Sequence, residues 1–211
     1  MARIVRKPLE RKAEIIQAAR QLFQTKKYDQ VTMQDVMDAL NIAKGTVYHY
    51  FASKEALLEA VIENIVTTNI NYMQTLINQT PGTALERIQA LAIAGNISTE
   101  NESLLNALHQ QGNEVMHTRL LVATLIQQAK LYAQLIEQGC AEGIFTTNTP
   151  LECAELVLSG VQFLTDQGIY PWSKEDITRR MLAFPALIEQ LLQAPSGSFK
   201  FMLPTRQKSK S

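Results

Sequence analysis

The sequence predicts an all-α protein of about nine helices, with an amino-terminal three-helix helix-turn-helix domain and a helical body behind it. Two observations carry the fold class. Apolar residues recur at helical spacing through most of the chain, and cap residues, prolines and αL-tolerant asparagines or glycines punctuate it at helix-length intervals. A third observation, the distribution of charge, suggests how the chain is divided. Lys+Arg and Asp+Glu are equal at 20 each, yet residues 1–54 carry a net +5, residues 55–199 a net −9 and residues 200–211 a net +4. A basic head joined to an acidic body implies that only the head meets a polyanion. The expected domains are 1–54 as the helix-turn-helix domain, 55–194 as the larger helical domain, and 195–211 as a mobile basic tail.

With 211 residues, 46% of them hydrophobic, the chain can bury a sizeable core, which excludes disorder for most of it. There is no run of eighteen apolar residues and no apolar stretch of signal-peptide length in "MARIVRKPLERKAE". The expected location is cytoplasmic, with no membrane partner. Cys140 and Cys153 have no CxxC spacing, which fits a reducing compartment and offers neither a disulfide framework nor a zinc motif.

In the first helix, expected over 10–25, Ile15, Ala19, Leu22 and Phe23 form the apolar stripe. "KKYDQ" ends it. Thr32 is then an N-cap with Asp35 three residues on, and Val31 and Val36 are placed for a hydrophobic staple. The second helix starts at Met33, buries Met33, Val36, Met37 and Leu40, and stops at Asn41, which tolerates the left-handed conformation. A third begins near Ala43, with Val47 and Phe51 one turn apart on its inner face, and Ser53 caps the next. Ala43 supplies no side-chain cap of its own.

Two short helices separated by "NIA" form a helix-turn-helix, in which the second helix enters the major groove. That reading accounts for the crowded rings of "KGTVYHYFASKEALL". With Val47 and Phe51 inward, Thr46, Tyr48, His49 and Tyr50 face out mostly toward DNA, where hydroxyls and ring nitrogens bond phosphates and rings pack on thymine methyls. Gly45 lets the backbone come close, and Lys54 adds a cation in the first turn of the following helix.

The run from "RKAEIIQAARQLF" through "VTMQDVMDALNIAKGTVYHYFASKEALL" resembles the DNA-binding domain of the tetracycline-repressor (TetR) family of bacterial transcriptional regulators, over about the first 65 residues. The resemblance implies a homodimer that binds double-stranded DNA at a palindromic operator and whose carboxy-terminal domain binds a small-molecule effector that releases the operator. It assigns the DNA contacts to Thr32, Gln34, Lys44, Gly45, Thr46, Tyr48, His49, Tyr50 and Lys54. It implies no cofactor.

The body reads as further helices: 53–78, then 83–95 opened by a Thr83/Glu86 capping box, then 101–111, then 114–141. Thr149 as N-cap, Pro150 at N1 and Glu152 at N3 open another, ending at Gly168. Ser173 and Asp176 open the last, which runs to about Gln193 with a kink expected at Pro185.

In the 114–141 helix, Arg119, Gln127, Lys130, Gln134 and Glu137 form the solvent stripe, while the opposite face mixes Leu121, Leu125 and Leu135 with His117, Thr124, Gln128 and Tyr132. In the 53–78 helix, Asn69 lies amid an apolar face that includes Met73. Buried polar groups need partners, and an orienting, mostly apolar ligand pocket supplies them. The candidate ligand residues are therefore Asn69, Met73, His117, Leu121, Thr124, Gln128 and Tyr132, and the acidic body leans toward a neutral or cationic lipophile. Each of these groups could instead bond a neighbour or a buried water.

The 150–168 helix has one narrow polar stripe, Glu155, Gln162 and Asp166, so it must be covered on several sides. With the last helix it is expected to form a two-fold four-helix interface through Val157, Gly160, Val161, Leu164, Leu182, Ile188 and Leu191. His109 and His117 stand eight residues apart across Gly112 with no HxxxH spacing, so no metal site is expected from them. The alternative function, a helical enzyme or interaction module carrying an incidental helix-turn-helix, finds no HExxH, phosphate-binding glycine loop or GxSxG.

Overall fold

The computed structural model describes residues 8–97, 109 and 112–203. They form eight α-helices and two 3₁₀ turns, with no strand among the described residues. The helices are α1 (Pro8–Thr25), α2 (Met33–Leu40), α3 (Lys44–Tyr50), α4 (Lys54–Gln79), α5 (Ala84–Ile97), α6 (Glu114–Ala141), α7 (Pro150–Thr165) and α8 (Lys174–Leu191). The 3₁₀ turns are Tyr28–Gln30 and Lys200–Met202. The helix expected over 101–111 lies outside the described residues.

Two compact units result: Met1–Asn69 with Thr99–Ala123, and Ile70–Ser98 with Thr124–Ser211. The division falls inside α4 and α6, whereas charge alone put it at residue 54.

In the first unit, α1 packs on α2 and α2 on α3. Ile15, Ala19 and Phe23 of α1 are buried, as are Val31 and Val36 at the start of α2, both essentially inaccessible, and Val47 of α3 is fully buried. Burying a side chain of that size contributes roughly 1.5–3 kcal/mol, which helps hold a helix of only two turns against α2.

The second unit has its own core. Met73 and Ile77 of α4, Ile88 and Leu91 of α5, and Leu131, Leu135 and Ile136 of α6 close on Phe145, Cys153, Ile188, Leu192 and Phe199. Thr83 and Glu86 form the expected capping box, and the free N–H of Ala84 donates to Glu142 at 2.9 Å. Gly143, at φ 73°, turns the chain out of α6. Gly139 is required by close packing, because a Cβ there would occupy the Phe145 ring.

Two expectations need correction here. Thr149 makes no side-chain cap bond to α7; at ψ 63° its hydroxyl is turned toward Thr147 Oγ1 at 3.4 Å instead, and Pro150 alone marks the start. The tail expected to be mobile from residue 195 is packed as far as it is described. Phe199 is 2% exposed, stacks on Phe145 with ring centroids 6.0 Å apart, and donates its backbone N–H to Glu189 at 3.0 Å. Phe201 and Met202 pack against the same core, so a short apolar cluster anchors the segment.

Candidate nucleic-acid interface

The reading head is built from local bonds. Thr32 Oγ1 accepts the Asp35 N–H at 3.2 Å, while the Asp35 carboxylate accepts the Thr32 N–H at 2.8 Å and its hydroxyl at 2.6 Å. Lys26 donates to the other carboxylate oxygen at 2.7 Å. These bonds, the Lys26 ammonium first and Thr32 next, hold the Asp35 carboxyl well below the usual carboxylate range. At the far end of α2, Asn41 adopts φ 50°, and Ile42 donates back to the Met37 carbonyl at 3.1 Å. The chain therefore leaves α2 and enters α3 with almost no linker.

On α3, Val47 and Phe51 point inward, at 0% and 4% exposed. Lys44, Gly45, Tyr48 and His49 are exposed, and Thr46 and Tyr50 are half-buried. Tyr48 keeps 41% of its surface exposed, with the Lys44 ammonium 5.5 Å from its ring centroid. His49 meets Tyr50 edge-on at 5.0 Å. A Cβ built on Gly45 would meet nothing within 4 Å, so the open space there lies outside the protein. On α2, Thr32 and Gln34 are exposed, and Gln34 donates to Asp38 at 2.7 Å. One surface thus carries a cation, hydroxyls, an imidazole and an amide.

Lys54 stands apart from this set. It is half-buried, its ammonium donates to the Tyr28 carbonyl at 3.0 Å, and it lies 4.2 Å from the centroid of the Tyr28 ring. On the other edge of the same residue, the Tyr28 N–H donates to Asn113 Oδ1 at 2.5 Å. Asn113 is 1% exposed, and its carbonyl accepts the N–H of His117 at the start of α6. Arg119 of α6 pairs with Glu59 of α4. Sequence reasoning missed Asn113, whose only signal was an Asn just before a helix, a residue type suited to capping.

Residues 15–61 match the model for bacterial regulatory proteins of the tetR family, and residues 96–187 match the tetracyclin repressor-like C-terminal domain. The chain belongs to the TetR family. It is therefore a transcriptional regulator and not an enzyme. It is similar to the HTH-type transcriptional repressor KstR2 of Mycobacterium tuberculosis, 24% identical over 149 residues, 69% of this chain and 74% of that one. The uncharacterized HTH-type regulator YfiR of Bacillus subtilis is 39% identical over 54 residues, 26% of each chain. Among solved structures, a TetR-family regulator of Pectobacterium atrosepticum superposes with a TM-score of 0.65 at 18% identity, over 92% of this chain and all of that one. The R. erythropolis repressor QsdR gives 0.59 at 16% identity, over 89% of this chain and 97% of that one.

In this TetR-family chain the residues expected to bind ligand are divided between the units. Asn69, His117 and Leu121 belong to the first, with His117 buried; Met73, Thr124, Gln128 and Tyr132 belong to the second, with Met73 in the core. Thr124, Leu125, Gln128 and Tyr132 share one face of α6 and are all half-buried, although Leu135, on the same face, is buried. Tyr132 sits so deep that desolvation pushes its phenol up to about 12, yet it keeps water-accessible surface. Among the described residues, no buried side-chain nitrogen or oxygen is left without a hydrogen-bond partner.

The residues expected at a dimer interface also separate. Leu182 is 56% exposed, and Val157, Gly160, Val161, Leu164 and Leu191 are half-buried. Ile188, at 6% exposed, belongs to the core of its own protomer and has no face to offer a second copy. Helix α8 is apolar on both sides near its end, and spacing alone did not say which side turns inward. Leu156 and Phe163 of α7 and Leu187 of α8, none of them foreseen, are 62%, 55% and 55% exposed. No helix of the described residues is long and apolar enough to cross a membrane.

Proposed function

We propose that the protein is a cytoplasmic, ligand-responsive repressor that binds a palindromic operator as a homodimer and releases it when a small effector enters the second unit. The observation that carries this reading is the split on α3. Val47 and Phe51 are committed to the core, so Lys44, Gly45, Thr46, Tyr48 and His49 present a continuous polar and aromatic surface with nothing of the protein in front of Gly45. Such a helix supplies base-edge and phosphate donors in a major groove, with Thr32, Gln34 and Tyr50 beside it. Lys54 supports the head from behind, through Tyr28.

The effector we assign is a largely apolar, uncharged molecule. Tyr132 offers a phenol that burial keeps neutral. Two arginines of the second unit are committed, Arg87 to the Thr80 carbonyl and Gln138 and Arg180 to the Leu164 carbonyl, while Lys130 is exposed on the solvent stripe of α6. The carboxylates of Glu142 and Glu189 are likewise bonded to backbone N–H groups. An ionic ligand of either sign would be desolvated without a counter-charge, which costs several kcal/mol. Two units that share α4 and α6 give the ligand a mechanical route to the head, since a shift in either helix on one side is carried to the other.

The test is selection of bound duplexes from a random library, followed by titration of the selected sequence. A palindromic site whose affinity falls steeply with salt supports the reading. A chain that selects no sequence, or whose selected site lacks two-fold symmetry, would overturn it.

A further inference from the structure

We propose that His109 and His117 form a binding site for a first-row divalent cation of the imidazole-preferring kind, zinc, nickel or copper, at the amino-terminal end of α6. The two rings lie with centroids 5.1 Å apart, tilted by 55°, and one nitrogen of each is within 4.8 Å of the other's. Two imidazoles on one tetrahedral ion hold their nitrogens roughly 3.4 Å apart, given metal–nitrogen bonds of about 2.0–2.1 Å. The difference is within reach of a change in side-chain torsions at His109, which is exposed. His117 is fixed by contrast, at 3% exposed in the first turn of α6. One rigid donor and one adjustable donor facing it is an arrangement that can close on an ion.

Eight residues of continuous helix would span about 12 Å, too far for a shared ion. The pair comes together because the chain turns at Gly112, φ 97°, and Asn113 then starts α6 by accepting the His117 N–H at 2.9 Å. Imidazole selects zinc, nickel or copper over magnesium and calcium, which prefer oxygen ligands. Two histidines leave the remaining coordination positions to water or a further donor.

The placement also gives the ion something to regulate, a part of the proposal that rests on the repressor reading. Asn113 lies between the two histidines in the sequence, and its side chain holds the Tyr28 N–H of the reading head. An ion joining His109 to His117 therefore fixes the segment that carries Asn113, and its occupancy changes operator affinity.

The full chain, stripped with chelator and titrated with zinc chloride by calorimetry, is expected to bind one ion per chain. Cobalt(II) chloride should give visible d–d absorption that zinc abolishes. His109→Gln removes one of the two ligands at an exposed position and should weaken binding at least about 10- to 100-fold, because losing a ligand costs no less than losing one of its supporting contacts. Cys140→Ser/Cys153→Ser should bind as the parent does. His117→Gln is read only if its circular dichroism matches the parent. A parent chain that binds no ion, or a His109→Gln variant that binds as tightly as the parent, overturns the site. Operator affinity is then measured with and without zinc in the parent and in His109→Gln. A zinc effect present in the parent and lost in the variant supports the coupling, and no zinc effect on an occupied parent overturns it. Loss of operator binding under all conditions would instead count against the repressor reading and leave the cation titration standing.

Discussion

The Lys54 ammonium and the Tyr28 carbonyl lie 3.0 Å apart, with the same ammonium 4.2 Å from the centre of the Tyr28 ring. Since Asn113 accepts the N–H of Tyr28, the short 3₁₀ turn between α1 and α2 is held on both edges, by the start of α4 and by the residue that opens α6. The tyrosine ring itself is buried against Phe23, at 5.4 Å between centroids. Burial is the main reason its phenol is pushed up, with Glu55 adding to the shift. The reading head thus hangs on one residue touched by two helices that continue into the second unit.

Lys54→Ala is accordingly expected to lower stability more than it alters the salt response. A hydrogen bond from a charged donor contributes about 1.5–3 kcal/mol and an exposed-to-partly-buried cation–π contact about 0.5–2 kcal/mol, so a loss of roughly 2 kcal/mol is expected in denaturant unfolding. A phosphate contact would instead reduce the slope of log affinity against log salt by about one. If Lys54→Ala unfolds like the parent and only the salt slope falls, the structural role is wrong.

Lys44→Ala should act differently. Its ammonium is exposed at the start of α3 beside Tyr48, where a base edge or phosphate of the operator would meet it. Removing it leaves the fold unchanged, and the preference for the selected operator over a scrambled duplex should fall by about 1–3 kcal/mol. Equal loss on both duplexes would reassign Lys44 from base readout to phosphate contact.

Asp35 gives the head a pH dependence whose sign follows from its lowered pKa. The carboxylate is bonded in the folded state, so its contribution is complete above the ordinary aspartate value of about 4 and is lost as pH falls below that toward the depressed folded value. The bonds are near the surface, which limits their worth to the roughly 0.5–2 kcal/mol of a helix cap. Asp35→Ala should cost about that much at neutral pH, and its stability curve should meet the parent's in strong acid. Curves that stay parallel down to pH 2 would show that the charge is not what matters.

What could be read from the sequence was what local bonds decide. The Thr32/Asp35 box, the Asn41 stop, the inward Val47 and Phe51 and the solvent stripe of α6 each depend on residues within a turn or two of one another. What escaped depends on distant partners. Lys54 reads as a phosphate cation until Tyr28, twenty-six residues away, is placed beneath it. Phe199 looks like part of a solvated tail until Phe145 is there to receive it, and His109 and His117, eight residues apart, read as too distant to share an ion until Gly112 turns the chain. The depth of Tyr132 was legible because a phenol on an apolar helix face is a mismatch, and a mismatch survives without knowledge of the partner.

Tyr132→Phe tests the proposed effector site in two independent ways. Operator affinity without effector should be unchanged, while the effector concentration needed for release should rise about 5- to 10-fold, the loss of one neutral hydrogen bond of about 1 kcal/mol. The raised phenol also makes the parent lose stability between the ordinary tyrosine value of about 10 and the folded value of about 12, because the unfolded chain ionises first. Tyr132→Phe should lack that component. If alkaline unfolding is the same in both, the hydroxyl is not shielded and the site is open to solvent.

The dimer prediction rests on surface that the protomer leaves uncovered. Helices α7 and α8 pack on one another, and Leu156, Phe163, Leu182 and Leu187 each leave more than half of their surface in water. Gly160, between the first two on α7, has nothing within 4 Å of where its Cβ would be, so a second helix can approach closely there. A two-fold contact uses each residue twice. Replacing Leu182 by Glu therefore removes two buried leucines, about 3–6 kcal/mol, and leaves two carboxylates to be desolvated, enough to move the dimer constant by roughly two to four powers of ten. Leu182→Glu, and separately Phe163→Glu, should sediment as folded monomers at concentrations where the parent is a dimer. Each should lose affinity for a full palindrome while binding a half-site as the parent's single head would, because only the dimer holds two α3 helices one DNA turn apart. Variants that remain dimeric would place the interface on another face of the second unit.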